Sequence, residues 1–164
     1  VETARFIIDI AVKYQADVIV FEHLDLQGKK KGSKKQVLHF WKARAIQKMV
    51  IDKGHRNEMR IRRVNAWGTS KLAFDGSGTV QRGVYHQNGK EYYNYSICVF
   101  SNGKTYNCDL NASYNIGARY FIRERLKPLS ETRRLAILEK LPECAKRSTC
   151  TLSSLINLHV ALIA

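Results

Sequence analysis

Apolar residues recur at helical spacing over residues 2–15, where Phe6, Ile7, Ile10, Ala11 and Tyr14 predict the broad buried face of an amphipathic helix. The run VIVFEHL predicts a buried strand whose apolar part ends on Glu22. A helix followed by a strand, both apolar, is half of a parallel crossover unit. From residue 35 to 53 the spacing of Leu38, Trp41, Ala45 and Met49, with Ile46 and Val50, predicts a long helix packed on the sheet with Trp41 in its core. Its other face carries Lys42, Arg44, Lys48 and Lys53. RIRRVNAW, residues 60–67, reads as a second strand with Arg60, Arg62 and Arg63 open to solvent.

Residues 68–108 change character. Six of the ten glycines lie there, among short β-type runs, and Asn102-Gly103 between SICVF and KTYN is a strong hairpin signal. After this β-rich segment, Leu110, Tyr114, Gly117 and Phe121 fall on one helical stripe, widened by Ala112, Ile116 and Tyr120. The spacing predicts a helix burying that stripe, with small Ala112, Gly117 and Ala118 permitting close approach to a sheet. Asp109 stands at its amino-terminal end, where the helix dipole and unpaired amides favour negative charge. Ser130 caps a further helix marked by Leu135, Leu138 and Leu141 and ended by Pro142. The apolar segment 151–164 predicts a last helix on the core. There is no internal repeat.

Composition adds a partner class. The 164 residues suffice for one ordinary domain, or a domain with a small insert, and 45% hydrophobic residues describe a globular protein. With 28 Lys and Arg against 14 Asp and Glu the net charge is +14, more than solubility requires of a small domain. Such a surface attracts phosphates and releases their counterions, so nucleic acid is the expected partner, ahead of an anionic membrane. The densest run is QGKKKGSKK at residues 27–35, which predicts a mobile loop offering Lys29, Lys30, Lys31, Lys34 and Lys35 to phosphates. Cys98, Cys108, Cys144 and Cys150 form no CxxC pair, so the pattern signals neither a disulfide framework nor a structural metal site and suits a reducing cytoplasm. No signal peptide is visible, and the apolar tail is too short for a membrane span. A first residue that is Val, opening directly on a helix, suggests a piece of a longer protein.

Two acids carry the chemistry. Glu22 ends a strand, and ligands in open α/β sheets gather at the carboxyl edge of the strands. Asp109 opens the helix NCDLNASYNIGARYF. A strand ending in Glu, followed later by a helix beginning D-x-N-A-x-x-N-I, resembles the second and third motifs of the RuvC-type nuclease domain in TnpB proteins and type V CRISPR effectors. The matching residues are Glu22, then Asp109, Asn111, Ala112, Asn115 and Ile116. Between them NAWGTS, residues 65–70, is similar to the Thr-Ser segment of TnpB and adds Thr69 and Ser70 as nucleic-acid contacts. The resemblance spans residues 3–125 in consistent order.

It implies an RNase H-like fold: a mixed α/β sheet flanked by helices, incomplete at its amino end, divided as core 1–67, β-rich insert 68–108 and closing helices 109–164. It implies the C-terminal region of an RNA-guided, TnpB-type DNA endonuclease, bacterial, cytoplasmic and nucleoid-associated. The partners would be a DNA substrate and a guide RNA bound mainly by upstream sequence, with no membrane. Glu22 and Asp109 would be the catalytic carboxylates, holding Mg²⁺ or Mn²⁺ in a two-metal site for phosphodiester hydrolysis, with a further Asp on an upstream strand. None of Asp9, Asp17, Asp25, Asp52 or Asp75 ends an early strand, so none takes that role, and this chain alone is expected to be inactive. In TnpB the insert usually carries a zinc ribbon. Here its ligand positions align with Ala73, Gly76, Cys98 and Ser101, so three of four donors are missing and no zinc is expected. Packing by Tyr92, Tyr93, Tyr95, Ile97 and Phe100 should hold the insert instead. Two other readings remain: a nuclease-inactive, RNA-guided DNA-binding or transposition accessory protein, and a guide-independent, structure-selective nuclease of the same fold.

Overall fold

The structure is a computed structural model that describes residues 2–23 and 34–163, apart from the side chains of residues 34–40, Tyr85 and Gln87. It is mixed α/β and about half helical, with a small parallel and a small antiparallel sheet. The chain divides into two compact units, Val1–Val64 and Asn65–Ala164.

In the first unit, helix α1 (Glu2–Lys13) leads to strand β1 (Val18–His23), and helix α2 (Lys34–Arg56) leads to strand β2 (Arg60–Asn65), which pairs with β1. The amide of Arg60 donates to the Asp17 carbonyl at 2.8 Å, tying the starts of the two strands together. Ala4, Ile8 and Ala11 of α1 pack with Val50 and Met59, and Ile19, Phe21, Ile46, Met49 and Ile61 close around them. Where α2 crosses β2, Gly54 makes room for Ile61: a Cβ there would stand 2.8 Å from the tip of that side chain and displace it.

The buried face of α1 is only partly the one its periodicity suggests: Ala11 is buried and Ile7 packs against the core as expected. Phe6, Ile10 and Tyr14 are exposed, and the stripe of smaller residues at 4, 8 and 11 packs inward. The helix is apolar on two sides, and the side with two alanines allows the closer approach. Trp41 is likewise 63% exposed rather than core, since the buried face of α2 runs through Gln47 and Val50.

In the second unit, strands β3 (Gln81–Gln87), β4 (Lys90–Val99) and β5 (Thr105–Asn107) form an antiparallel sheet in that order. The Asn102-Gly103 hairpin joins β4 to β5 as expected, with Phe100 and Lys104 bonded across it at 2.8 Å. A second two-residue turn, Asn88-Gly89, joins β3 to β4, and both of its residues take the positive φ that such a turn demands. The core beneath is Ala73, Cys98, Phe100 and Cys108, with Phe74, Val80 and Tyr106 packed against it. Phe74 meets Phe100, Tyr106 and Tyr114 edge-on, with ring centroids 5.0–5.4 Å apart. Phe100 thus packs as expected and Ile97 is half-buried, but Tyr92, Tyr93 and Tyr95 are exposed. They lie toward the hairpin end of β4, beyond the reach of this small core.

Helix α3 (Cys108–Leu126) follows β5 directly. It is succeeded by α4 (Glu131–Lys140), capped by Ser130, by a 3-10 turn at Pro142–Cys144, and by α5 (Leu152–Ile163). Ile122, Ile137, Cys144, Cys150 and Leu158 form a core among these helices, with six leucines around it. Among the described residues no helix is long and apolar enough to cross a membrane.

Candidate active site

Helix α3 buries Cys108, Ala118, Ile122 and, as expected, Tyr120, but beside them it buries a polar stripe. Asn111 and Asn115 are fully buried and Arg119 is 5% exposed, whereas Leu110, Tyr114 and Phe121 of the expected apolar stripe are exposed, and a Cβ on Gly117 would meet open space. On this side α3 faces the irregular segment 65–74, whose peptide groups need donors and acceptors.

The side chains supply them. Asn111 donates to the Leu72 carbonyl and accepts from the Phe74 amide, each at 2.9 Å, so it completes the backbone of this segment on both sides. Asn115 donates to the carbonyls of Thr69 at 3.0 Å and Leu72 at 2.8 Å, and accepts from the Leu152 amide at 3.3 Å. Arg119 spreads its guanidinium over four carbonyls: Asn65 at 2.6 Å, Trp67 at 2.8 Å, Ser148 at 2.7 Å and Cys150 at 3.2 Å. Together these three residues bind the 65–74 segment and the start of α5 to α3. The two asparagines of the D-x-N-A-x-x-N-I pattern thus have a structural cause. Arg119, missed in the sequence, was signalled by the spacing of four that links Asn107, Asn111, Asn115 and Arg119 on one helical face.

Asn107 is the cap of α3. Its Oδ1 accepts from the amides of Asp109 at 2.9 Å and Leu110 at 3.0 Å. Asp109 is the second residue of the helix and is exposed, so its carboxylate is not consumed in capping, though it benefits from the positive end of the helix.

Glu22 belongs to the first unit, as the fifth of six residues in β1, and is half-buried. Ile19 and Phe21 face the core beneath α1 and α2, so strand alternation puts Glu22 on the opposite face of the sheet. Its backbone carbonyl accepts from Gln47 Nε2 at 3.1 Å, which fixes the end of the strand against α2. The same alternation, read from Ile61, puts Arg60 and Arg62 on the face that carries Glu22. Both are exposed, as is Arg63.

The remaining expected nucleic-acid contacts fall in different places. Lys29, Lys30 and Lys31 lie outside the described residues. Lys34 and Lys35 begin α2, and their side chains too lie outside the description. Thr69 is buried, and its hydroxyl donates to the Ala66 carbonyl at 3.1 Å, whereas Ser70 is half-buried and accepts from Arg82 at 3.4 Å. The Thr-Ser pair is thus one residue inside the fold and one at its surface.

Other titratable groups are structural. Partial burial acts to raise the Asp75 carboxyl, but hydrogen bonds from Ser77 and Asn102 and the charge of Lys104 outweigh it and hold the group below the usual carboxylate range. Burial, then the neighbouring Cys108, pushes the Cys98 thiol up to about 11. Burial, then Cys150 and Glu143, pushes Cys144 up to about 12. Thiols so raised are protonated at neutral pH and poor nucleophiles. The donors at Glu22 and Asp109 are hard carboxylate oxygens, the type that Mg²⁺ selects. Among the described residues, no group of three or more His, Cys, Asp or Glu gathers where it could hold a metal ion.

No family model and no curated protein matches this chain.

Proposed function

We propose that the chain is the C-terminal region of a RuvC-like, RNase H-type nuclease from an RNA-guided DNA endonuclease of the TnpB kind, with Glu22 and Asp109 as its catalytic carboxylates. The observation that carries this reading is the division of labour at the head of α3. Asn107 does the capping, Asn111 and Asn115 bind the 65–74 segment, and the one acid of the motif is left exposed to solvent. A purely structural helix start would need only the first two of these.

Glu22 supports the same reading from the carboxyl end of β1, the edge where α/β folds collect ligands. Glu22 and Asp109 would hold Mg²⁺ or Mn²⁺, which supplies charge neutralisation at the scissile phosphate and lowers the pKa of water. The protein's own part is to present two carboxylates of fixed origin: one by strand pairing and the Gln47 bond, the other by the capped first turn of α3. Arg60 and Arg62, on the Glu22 face of the sheet, would meet DNA phosphates. The basic composition adds a long-range attraction for DNA and guide RNA. A bacterial cytoplasmic setting accords with four free thiols.

The test is cleavage of end-labelled DNA in Mg²⁺ by this chain, by the longer protein that the resemblance implies, and by that protein with Glu22→Ala or Asp109→Ala. Cleavage by the longer protein alone, lost with either substitution, is expected. A longer protein indifferent to both substitutions would move the catalytic assignment elsewhere. DNA binding without cleavage by any of them would favour the nuclease-inactive, RNA-guided binding protein.

A further inference from the structure

Between α1 and the end of α2, wholly within the first unit, lies an open groove of about 630 Å³. Arg5 and Lys13 line it from α1, and Lys53 and Arg56 from α2, against a single acid, Asp9. Asp9 is engaged by Arg5 across one helical turn at 3.9 Å, with both side chains well exposed, which offsets little of the positive charge. Lys53 is half-buried where it lines the groove, so part of its side chain is covered by the helices while its charge remains available. Neither helix alone makes this site: each contributes two cations, and the packing of Ala4, Ile8 and Ala11 on Val50 brings them together.

The groove is separate from the Glu22 edge. It lies on the helix side of the sheet, whereas Glu22 stands on the other side. It also borders the turn that enters β2, and Arg60 at the start of β2 is bonded to Asp17 just before β1. Glu22 is at the far end of β1, roughly 13 Å along the strand at 3.3 Å per residue.

Four cations converging from two helices against one partnered acid suit a chain of phosphodiesters. A lone anion would be met by one or two of them, and an apolar ligand would find little apolar lining beyond Ile8 and Val12. We propose that this groove is a backbone-binding site for nucleic acid, gripping consecutive phosphates of a strand without reading its bases. It serves as an anchor remote from the carboxylate edge, and it does not depend on cleavage.

Binding is measured by fluorescence anisotropy with labelled single-stranded DNA, single-stranded RNA and duplex DNA of one length, over a salt series in EDTA, so that catalysis and metal play no part. The double substitution Lys53→Ala with Arg56→Ala should weaken binding by roughly fivefold or more. It should also flatten the slope of log K against log salt by about 0.9 for each phosphate that is no longer neutralised on duplex DNA. Lys53→Arg with Arg56→Lys should restore both, which separates the effect of charge from that of misfolding. The probe most affected identifies the preferred strand. Unchanged affinity and slope would overturn the proposal, as would an equal weakening from the control pair Arg125→Ala with Lys127→Ala on α3 and its cap. Loss of binding to vesicles of anionic phospholipid, with nucleic-acid binding intact, would overturn it in favour of a membrane surface.

Discussion

Asn115 and Leu72 are joined by a hydrogen bond of 2.8 Å from a fully buried side-chain amide to a backbone carbonyl, and the same amide also reaches Thr69 at 3.0 Å. An asparagine there replaces the apolar residue that helical periodicity would put on a buried face. Asn115→Leu is close in volume yet leaves the Leu152 amide and the Thr69 carbonyl without these partners. An unsatisfied buried amide costs about 1–3 kcal/mol, so the variant should be destabilised by at least about 1 kcal/mol in urea unfolding. Leu110→Ala, on the exposed face of the same helix, should change stability by no more than about 0.5 kcal/mol. The reverse order would mean that α3 buries its apolar stripe after all.

Arg119 makes a sharper case, because its fork meets four carbonyls from two separate segments. Lysine keeps the charge but cannot present donors in that plane. Arg119→Lys should lose most of the stability lost in Arg119→Met, and hydrogen exchange should quicken in residues 65–72 and 148–152 together. Exchange that quickens in only one of the two segments would contradict the clamp.

Asp75 sets part of the acid limb. A carboxyl whose folded pKa is depressed contributes stability that is present above the unfolded pKa, near 3.9, and is lost as pH falls through the folded value. Asp75→Asn should therefore flatten the loss of stability below about pH 4 and lower stability at pH 7. Thermal unfolding from pH 2.5 to 7 checks this, and an acid limb identical in the two proteins would contradict it.

The thiols give a readout of packing. Cys98, pushed up to about 11, and Cys144, pushed up to about 12, are buried and protonated at pH 7.5. Alkylation of the native protein by iodoacetamide should be slower than that of the urea-unfolded chain by about two orders of magnitude or more. Rapid labelling of Cys98 in the native protein would place it outside the core that Ala73 and Phe100 build.

Element types were legible in the sequence wherever punctuation was chemical. Ser130, Pro142 and Asn102-Gly103 each marked a boundary that the fold keeps. Faces were less legible. In α1 two apolar sides compete, and only packing against α2 chooses Ala4, Ile8 and Ala11. In α3 the stripe that meets irregular backbone is written in Asn and Arg and is invisible to a hydrophobic count, whereas the burial of Tyr120 was legible. The exposed tyrosines of β4 read as core because aromatic strand residues usually are, yet they lie beyond the part of the strand that meets the core, and Tyr93 and Tyr95 are largely exposed. At the candidate site, the positions of Glu22 on a strand end and Asp109 on a helix start were legible, because each sits at an element boundary. The capping role of Asn107 was not, since Asp109 is an equally good capping residue by type.

The most direct test of the nuclease reading is whether Glu22 and Asp109 hold the same ion. Mn²⁺ affinity is measured by electron paramagnetic resonance for the longer protein, for Glu22→Gln, for Asp109→Asn and for the double variant, giving a thermodynamic cycle. If both carboxylates serve one site, each single substitution weakens Mn²⁺ binding and the double variant is much less than additively worse. Additive losses, or an affinity that neither substitution changes, would contradict a shared metal site and with it the catalytic pair.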